Sequence, residues 1–420
     1  MGLSPAQAIA IIVVLSFLLL FLHKILSPWV ELPRLPEQWL AFRSGLAWTI
    51  FKDRVGFSED MVLDHESGFA IISSDPGRVC WNALWGRSHN PHQQGRLLLY
   101  HYGGSGSLRE MELVNFPDNF DFHPLGMGLY REMEDSHPRL FVVNQGDDNS
   151  SVEIMDIDYE DARAVHVCTV EDNNHTIRSP VSVSPVSYSS FYVTNDQCLI
   201  RRRHPVLSFT ERVLGLPLGW VTFVDFSIQA RPICTIVAGG IPFASGILVT
   251  PTGKEVLVAS NSTDTVRIYE RNPDTNTLSS NYSSVYMTFH PETLSFDKSL
   301  DIDDPTVFNS NGYFLRGVVA TGSPDAGRLF CMATNPHGCA APSVVAEIRR
   351  GHGPDLSPFP GSLFNLLSKY YARTLYADDG TNYPSSTSGD MDSKRGRLIV
   401  SGVYADGLLD ITWDPRENRH

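Results

Sequence analysis

Six short apolar runs, each ending in a small or polar residue, recur along this chain and constrain its fold more than any other feature. They are Phe69–Ser74, Leu140–Asn144, Phe191–Asn195, Val256–Asn261, Gly317–Thr321 and Leu398–Ser401. Their Val, Ile and Phe content suits a pleated, buried strand. Several continue after a turn into a second run, as in Val152–Ile157, Thr265–Glu270 and Leu408–Trp413. Units roughly 50 to 80 residues apart match propeller blades of about four strands. A β-sandwich needs fewer repeats. The expectation is an all-β, six-bladed β-propeller over residues 33–420, with the repeat ends Asn144, Asn195 and Asn261 delivering amide oxygens to the central channel.

Two segments depart from this pattern. Residues 1–22 carry no charged side chain and Ala8–Leu22 is almost wholly apolar. A helix through Ser4–Ile25 has the ~20 residues that cross a bilayer. A cleavable signal peptide is the rival reading, but the run exits into His23-Lys24-Ile25-Leu26 without a small-residue cleavage pattern. Residues 1–32 are therefore read as an N-terminal transmembrane anchor with a short linker, and the membrane as a partner. Lys24 and Arg34 argue for a cytosolic body. The N-x-S/T sequons at Asn149, Asn174, Asn261 and Asn281 argue for a luminal or extracellular one and are given more weight. The second departure is Phe209–Ile228, long, aromatic and broken by Pro217. It reads as an amphipathic lid or surface helix, or as a packed blade-edge segment.

Charge excludes one class of partner. The net charge is −14, from 47 acidic against 33 basic side chains, so the basic footprint of a nucleic-acid binder is missing. The six cysteines form no C-x-x-C pair, which removes zinc-ribbon spacing. Cys331 and Cys339 are close enough in sequence for a local bridge. No G-x-S-x-G or H-E-x-x-H occurs, so neither a nucleophile elbow nor a zincin helix is available.

Ser58-Glu59-Asp60, Phe122–Gly126, Leu140–Asn144, Tyr192–Asp196, Phe243–Ser260 and Leu375–Gly380, in that order and spacing, resemble the serum paraoxonase/arylesterase family. The similarity runs from about Pro33 to Trp413. The resemblance implies a propeller that binds two calcium ions in its channel and hydrolyses esters or lactones. For the structural calcium it implies Asp60 and Asp196 as carboxylate ligands and Met127 as a carbonyl donor. For the catalytic calcium it implies Glu59, Asn195 and Asp297, with Ser245 where the family has Asn and Lys298 where it has another. The family's histidine pair is replaced by Leu125 and Gln145, neither of which can act as a base; His123 is a possible substitute. The family's terminal cysteines are also missing, so ring closure must rest on strand pairing.

Three functional readings follow. The first is calcium-assisted hydrolysis of a small hydrophobic ester or lactone, with Asp297 as base or nucleophile. The second is a non-hydrolytic enzyme guiding cyclisation or rearrangement of a hydrophobic metabolite. The third is a binding propeller without catalysis.

Overall fold

The computed structural model describes residues 46–414, except 78–80, 83–85, 88–93, 119, 133–136, 147–148, 173–175, 201–202, 229–231, 336–337 and 352–368. The expected anchor at 1–32 lies outside the described residues. Among the described residues, no helix is long and apolar enough to cross a membrane.

Six sheets of four or five antiparallel-ordered strands form the six expected blades. In each blade the chain runs outward from the innermost strand, while the outermost strands of the second and last blades, Glu112–Val114 and Leu46–Ile50, come earlier in the sequence. These innermost strands are Met61–Asp64, Pro124–Tyr130, Pro180–Ser187, Ala244–Val249, His290–Phe296 and Ser386–Asp392, and they neighbour one another in a closed ring. The second blade gains a fifth strand, Glu112–Val114, which pairs parallel to its Arg163–Val170 edge.

Each blade presents apolar residues on both faces, so the core is divided into six clusters, one between each pair of neighbouring blades. Phe141 and Val152 of the second blade, for example, pack on Phe191 and Val193 of the third. A fully buried side chain of this kind contributes about 1.5–3 kcal/mol. The ring is closed by strand pairing: Leu46–Ile50 completes the last blade, with Leu46 opposite Thr412 and Ile50 opposite Leu408. No cysteine takes part in that closure. Cys331 and Cys339 do form a disulfide, with Cα atoms 6.0 Å apart.

Two sequence expectations are corrected. The recurring apolar runs are the second strand of each blade, not the channel-lining one. The innermost strands escape the hydrophobic pattern because they face the channel and so carry Ser, Thr, Gly and Asp, as in Ser386–Asp392 (STSGDMD). The second correction concerns Phe209–Ile228. Helix α1 spans Pro205–Leu214 and ends at Gly215, whose φ of 58° continues no helix. Gly219–Asp225 is then a strand of the third blade, half of it buried in alternation. A second helix, α2, spans Ala326–Thr334 and is capped by Asp325, which accepts from the Arg328 amide.

Candidate functional site

At one end of the channel a cavity of about 370 Å³ opens beneath the two helices. Its floor is built where successive innermost strands begin: Glu59, Leu125, Val181, Glu292 and Thr387 each come from a different blade. The roof is apolar, with Phe209 and Val213 from α1 and Leu329 and Phe330 from α2. The rings of Phe209 and Phe330 meet 6.2 Å apart, so the two helices close over the channel together.

The strand His290–Phe296 supplies the most reactive pair. Residues two apart on a strand share a face, and His290 and Glu292 both line the cavity. His290 Nδ1 lies 2.5 Å from Asp264 Oδ1, while its Nε2 is buried without a hydrogen-bond partner. Burial disfavours the imidazolium, but the Asp264 contact and the charge of Glu292 outweigh it and raise the pKa above the ordinary 6.5. Glu292 accepts from Asn261 Nδ2 at 2.7 Å. Burial pushes its carboxyl up to about 7, the nearby Arg212 charge pulls the other way, and Glu59 adds to the rise. The cavity therefore holds an oriented imidazole with a vacant nitrogen and a carboxyl that is partly protonated near neutral pH.

A second histidine is differently placed. His123 lines the cavity, but its Nδ1 lies 3.1 Å from Asp75 and its Nε2 3.1 Å from Asp121. Both ring nitrogens are engaged, so it braces the wall. Leu125 and Gln145 also line the cavity, and Gln145 Nε2 donates to the Pro180 carbonyl.

Comparison with known proteins places this geometry. The family model described as Arylesterase matches residues 68–302. The chain belongs to the arylesterase family. It is 29% identical to mouse serum paraoxonase/arylesterase 1 over 327 residues, which is 77% of this chain and 78% of that protein. It is 28% identical to chicken serum paraoxonase/arylesterase 2 over 284 residues, 64% of this chain and 73% of that one. Among solved structures, a luciferin-regenerating enzyme superposes with a TM-score of 0.51 at 8% identity, covering 88% of this chain and 96% of that one; this likeness is one of fold.

In this chain, most of the expected calcium ligands hold hydrogen bonds within the protein. Asn195 is fully buried, and its Oδ1 accepts from the Arg178 and Ser179 amides at 2.7 and 3.1 Å. Asn144 acts likewise in the preceding blade, accepting from the His123 amide at 2.7 Å. These two asparagines brace the loops that enter the innermost strands of the second and third blades, whereas Asn261 donates to Glu292. Ser245 donates its hydroxyl to the Pro291 carbonyl. Asp60 takes three donors, from Met61 N, Ser388 Oγ and Met127 N. Burial pushes the Asp60 carboxyl up to about 7 despite those bonds. Asp196 lines the cavity and accepts from Ser179 Oγ.

Asp297 is also placed apart. It follows the last residue of the strand His290–Phe296, and the five residues from Glu292 carry it roughly 16 Å along the channel. There it accepts from Ser299 and from the Ser393 amide, and Lys298 donates to the Leu129 carbonyl. Of the expected catalytic ligands, only Glu59 lines the cavity. No group of three or more His, Cys, Asp or Glu able to hold a metal occurs among the described residues. Calcium normally takes six to eight oxygens, and the oxygens expected to supply them are already bonded within the protein. The donor set does not fit.

Sequence reasoning missed Glu292, His290, Asp264 and Arg212. The signal was position: Glu292 stands in the turn-to-strand entry of its blade as Glu59 does in the first.

The sequons fall in three environments. Asn149 and Asn281 are exposed, Asn261 is buried within the cavity wall, and Asn174 lies outside the described residues. A glycan on Asn261 requires the nitrogen that now holds Glu292.

Proposed function

We propose that the chain hydrolyses a neutral, largely apolar ester or lactone in the cavity under α1 and α2. The observation that carries this reading is the imidazole of His290, oriented by Asp264 and buried without a hydrogen-bond partner at Nε2. Membership of the arylesterase family supports the reaction class.

In this reading Nε2 takes a proton from water as the water oxygen bonds to the substrate carbonyl carbon. The carbonyl electron pair moves onto oxygen, where protonated Glu292 donates a hydrogen bond; a carboxylic acid kept neutral by burial can serve so. Collapse breaks the bond to the leaving alkoxide, which takes the proton from the imidazolium. The aromatic and aliphatic roof seats the acyl or ring carbons. No step is assigned to calcium, because the oxygens it needs are already committed.

The raised pKa of Glu292 in an apolar cavity also favours a second reading, in which that carboxyl protonates a bound metabolite and guides its rearrangement. Product mass separates the two. Incubation with a γ-lactone should yield one product heavier by one water, and incubation with an aryl ester should yield an acid and a phenol whose masses sum to the ester plus one water. A product of unchanged mass supports rearrangement, and no turnover of any substrate refutes the hydrolytic reading.

We further propose that residues 1–32 anchor the propeller in a membrane with its body luminal or extracellular. The exposure of Asn149 and Asn281 supports this. Glycosidase treatment should increase gel mobility, and substitution of both asparagines should abolish that shift.

A further inference from the structure

Four acidic side chains line the cavity; Asp75 pairs with His123 and Asp196 accepts from Ser179, while Glu59 and Glu292 come from different blades and the charge of the first acts on the second. Whenever Glu292 ionises, two carboxylates in a half-buried site need a compensating charge. The oxygens that a divalent ion would need around them are committed elsewhere. A fixed cation is present instead. Arg212, in the last turn of α1, lines the cavity, and its charge acts on both Glu292 and His290.

Its placement is built in. Buried Glu211 accepts the Cys198 and Leu199 amides at 2.8 and 2.9 Å. Gln197 and Ser208 exchange two hydrogen bonds, at 2.6 and 2.9 Å. These contacts tie α1 to the segment that follows Asn195 and Asp196. The Arg212 guanidinium lies 4.3 Å from the centroid of the Phe243 ring, a cation–π contact. Phe243 itself has φ of 50°, a left-handed conformation that a bulky residue keeps only when its surroundings impose it. The carbonyl of Arg212 accepts from Ser262, the neighbour of the Asn261 that holds Glu292. Helix, aromatic platform and acid thus form one connected unit.

We propose that Arg212 is the resident cation of this cavity, standing where a divalent ion would otherwise balance Glu59 and Glu292. The guanidinium is always charged and brings a planar set of donors, so it can stabilise a developing oxyanion without a metal. The catalytic role rests on the hydrolytic reading; the charge-balancing role does not.

The experiment measures thermal midpoint and calcium binding by calorimetry for the wild type, R212K and R212M, with calcium and with chelator. The wild type and R212K should show no calcium response and no loss on chelation. R212M, left with two uncompensated carboxylates, should gain a saturable calcium response that E59Q removes. A wild type that loses stability on chelation, or an R212M protein indifferent to calcium, overturns the proposal. If R212M does not fold, the wild-type and R212K arms still decide: a calcium response in either refutes it, and indifference in both upholds it. No substrate enters these arms, so their outcome is separate from that of the hydrolytic reading. Where turnover is found, R212M should lower kcat/KM by about 10²–10³-fold, with R212K partly restoring it.

Discussion

His290 Nδ1 lies 2.5 Å from Asp264 Oδ1, which leaves the opposite nitrogen of a cavity-lining imidazole buried and without a hydrogen-bond partner. A base must be neutral to accept a proton, and the raised pKa of His290 sets when that happens. Hydrolysis should therefore rise with pH through a limb above the ordinary histidine value of about 6.5, and fall again as Glu292 loses the proton it donates near the value of about 7 to which burial pushes it. In D264N the carboxylate that raises the pKa is gone, so the limb should move to lower pH. A limb unchanged in the pH–rate profile of D264N contradicts this role.

Glu292 and Asp60 have carboxyl groups pushed up to about 7, and Asp390 one pushed up to about 6, in each case first by burial. Each binds its proton more tightly folded than unfolded. The stability this gives is complete below the unfolded value near 4 and is lost as pH rises through the folded value. The thermal midpoint should fall as pH increases from about 4 to about 7. E292Q, which cannot ionise, should flatten that fall; a slope equal to that of the wild type rules out Glu292 as a contributor.

Asn195 accepts two backbone amides with one oxygen. Asn195→Ala leaves both without that partner, at about 1–3 kcal/mol for each buried group. Urea denaturation should show a loss of roughly 2–4 kcal/mol, allowing for partial relaxation. A variant of unchanged stability but weakened calcium affinity instead restores the ligand role expected from the family.

The strand Leu46–Ile50 pairs with Leu408–Thr412 and has no covalent substitute. A chain beginning at Phe51 exposes an unpaired edge in the last blade. It should lose cooperative unfolding and associate in solution, as read by calorimetry and light scattering. A monomer with the same midpoint shows that the ring closes without it.

The blade count was legible because second strands such as Phe191–Asn195 begin with an apolar run and close on a small or polar residue. The innermost strands were not, because one face meets the channel and their polar residues break the pattern. The repeated asparagines were visible, but their chemistry was not. An Asn at a strand end looks the same in sequence whether its oxygen meets a metal or the amides of Arg178 and Ser179. Asp297 and Glu292 lie on one strand, and only the direction of that strand decides which reaches the cavity. Arg212 could not be found from sequence at all, since its place depends on Gly215 ending α1 and on Glu211 anchoring it.

The central claim is that His290 activates water in this cavity. The direct measurement is kcat/KM for a neutral γ-lactone with the wild type and with H290Q, whose folding is checked by thermal midpoint. The wild type should release the hydroxy acid, and H290Q at an equal midpoint should lose about 10²–10⁴-fold of that rate. Equal rates in the two proteins contradict the account.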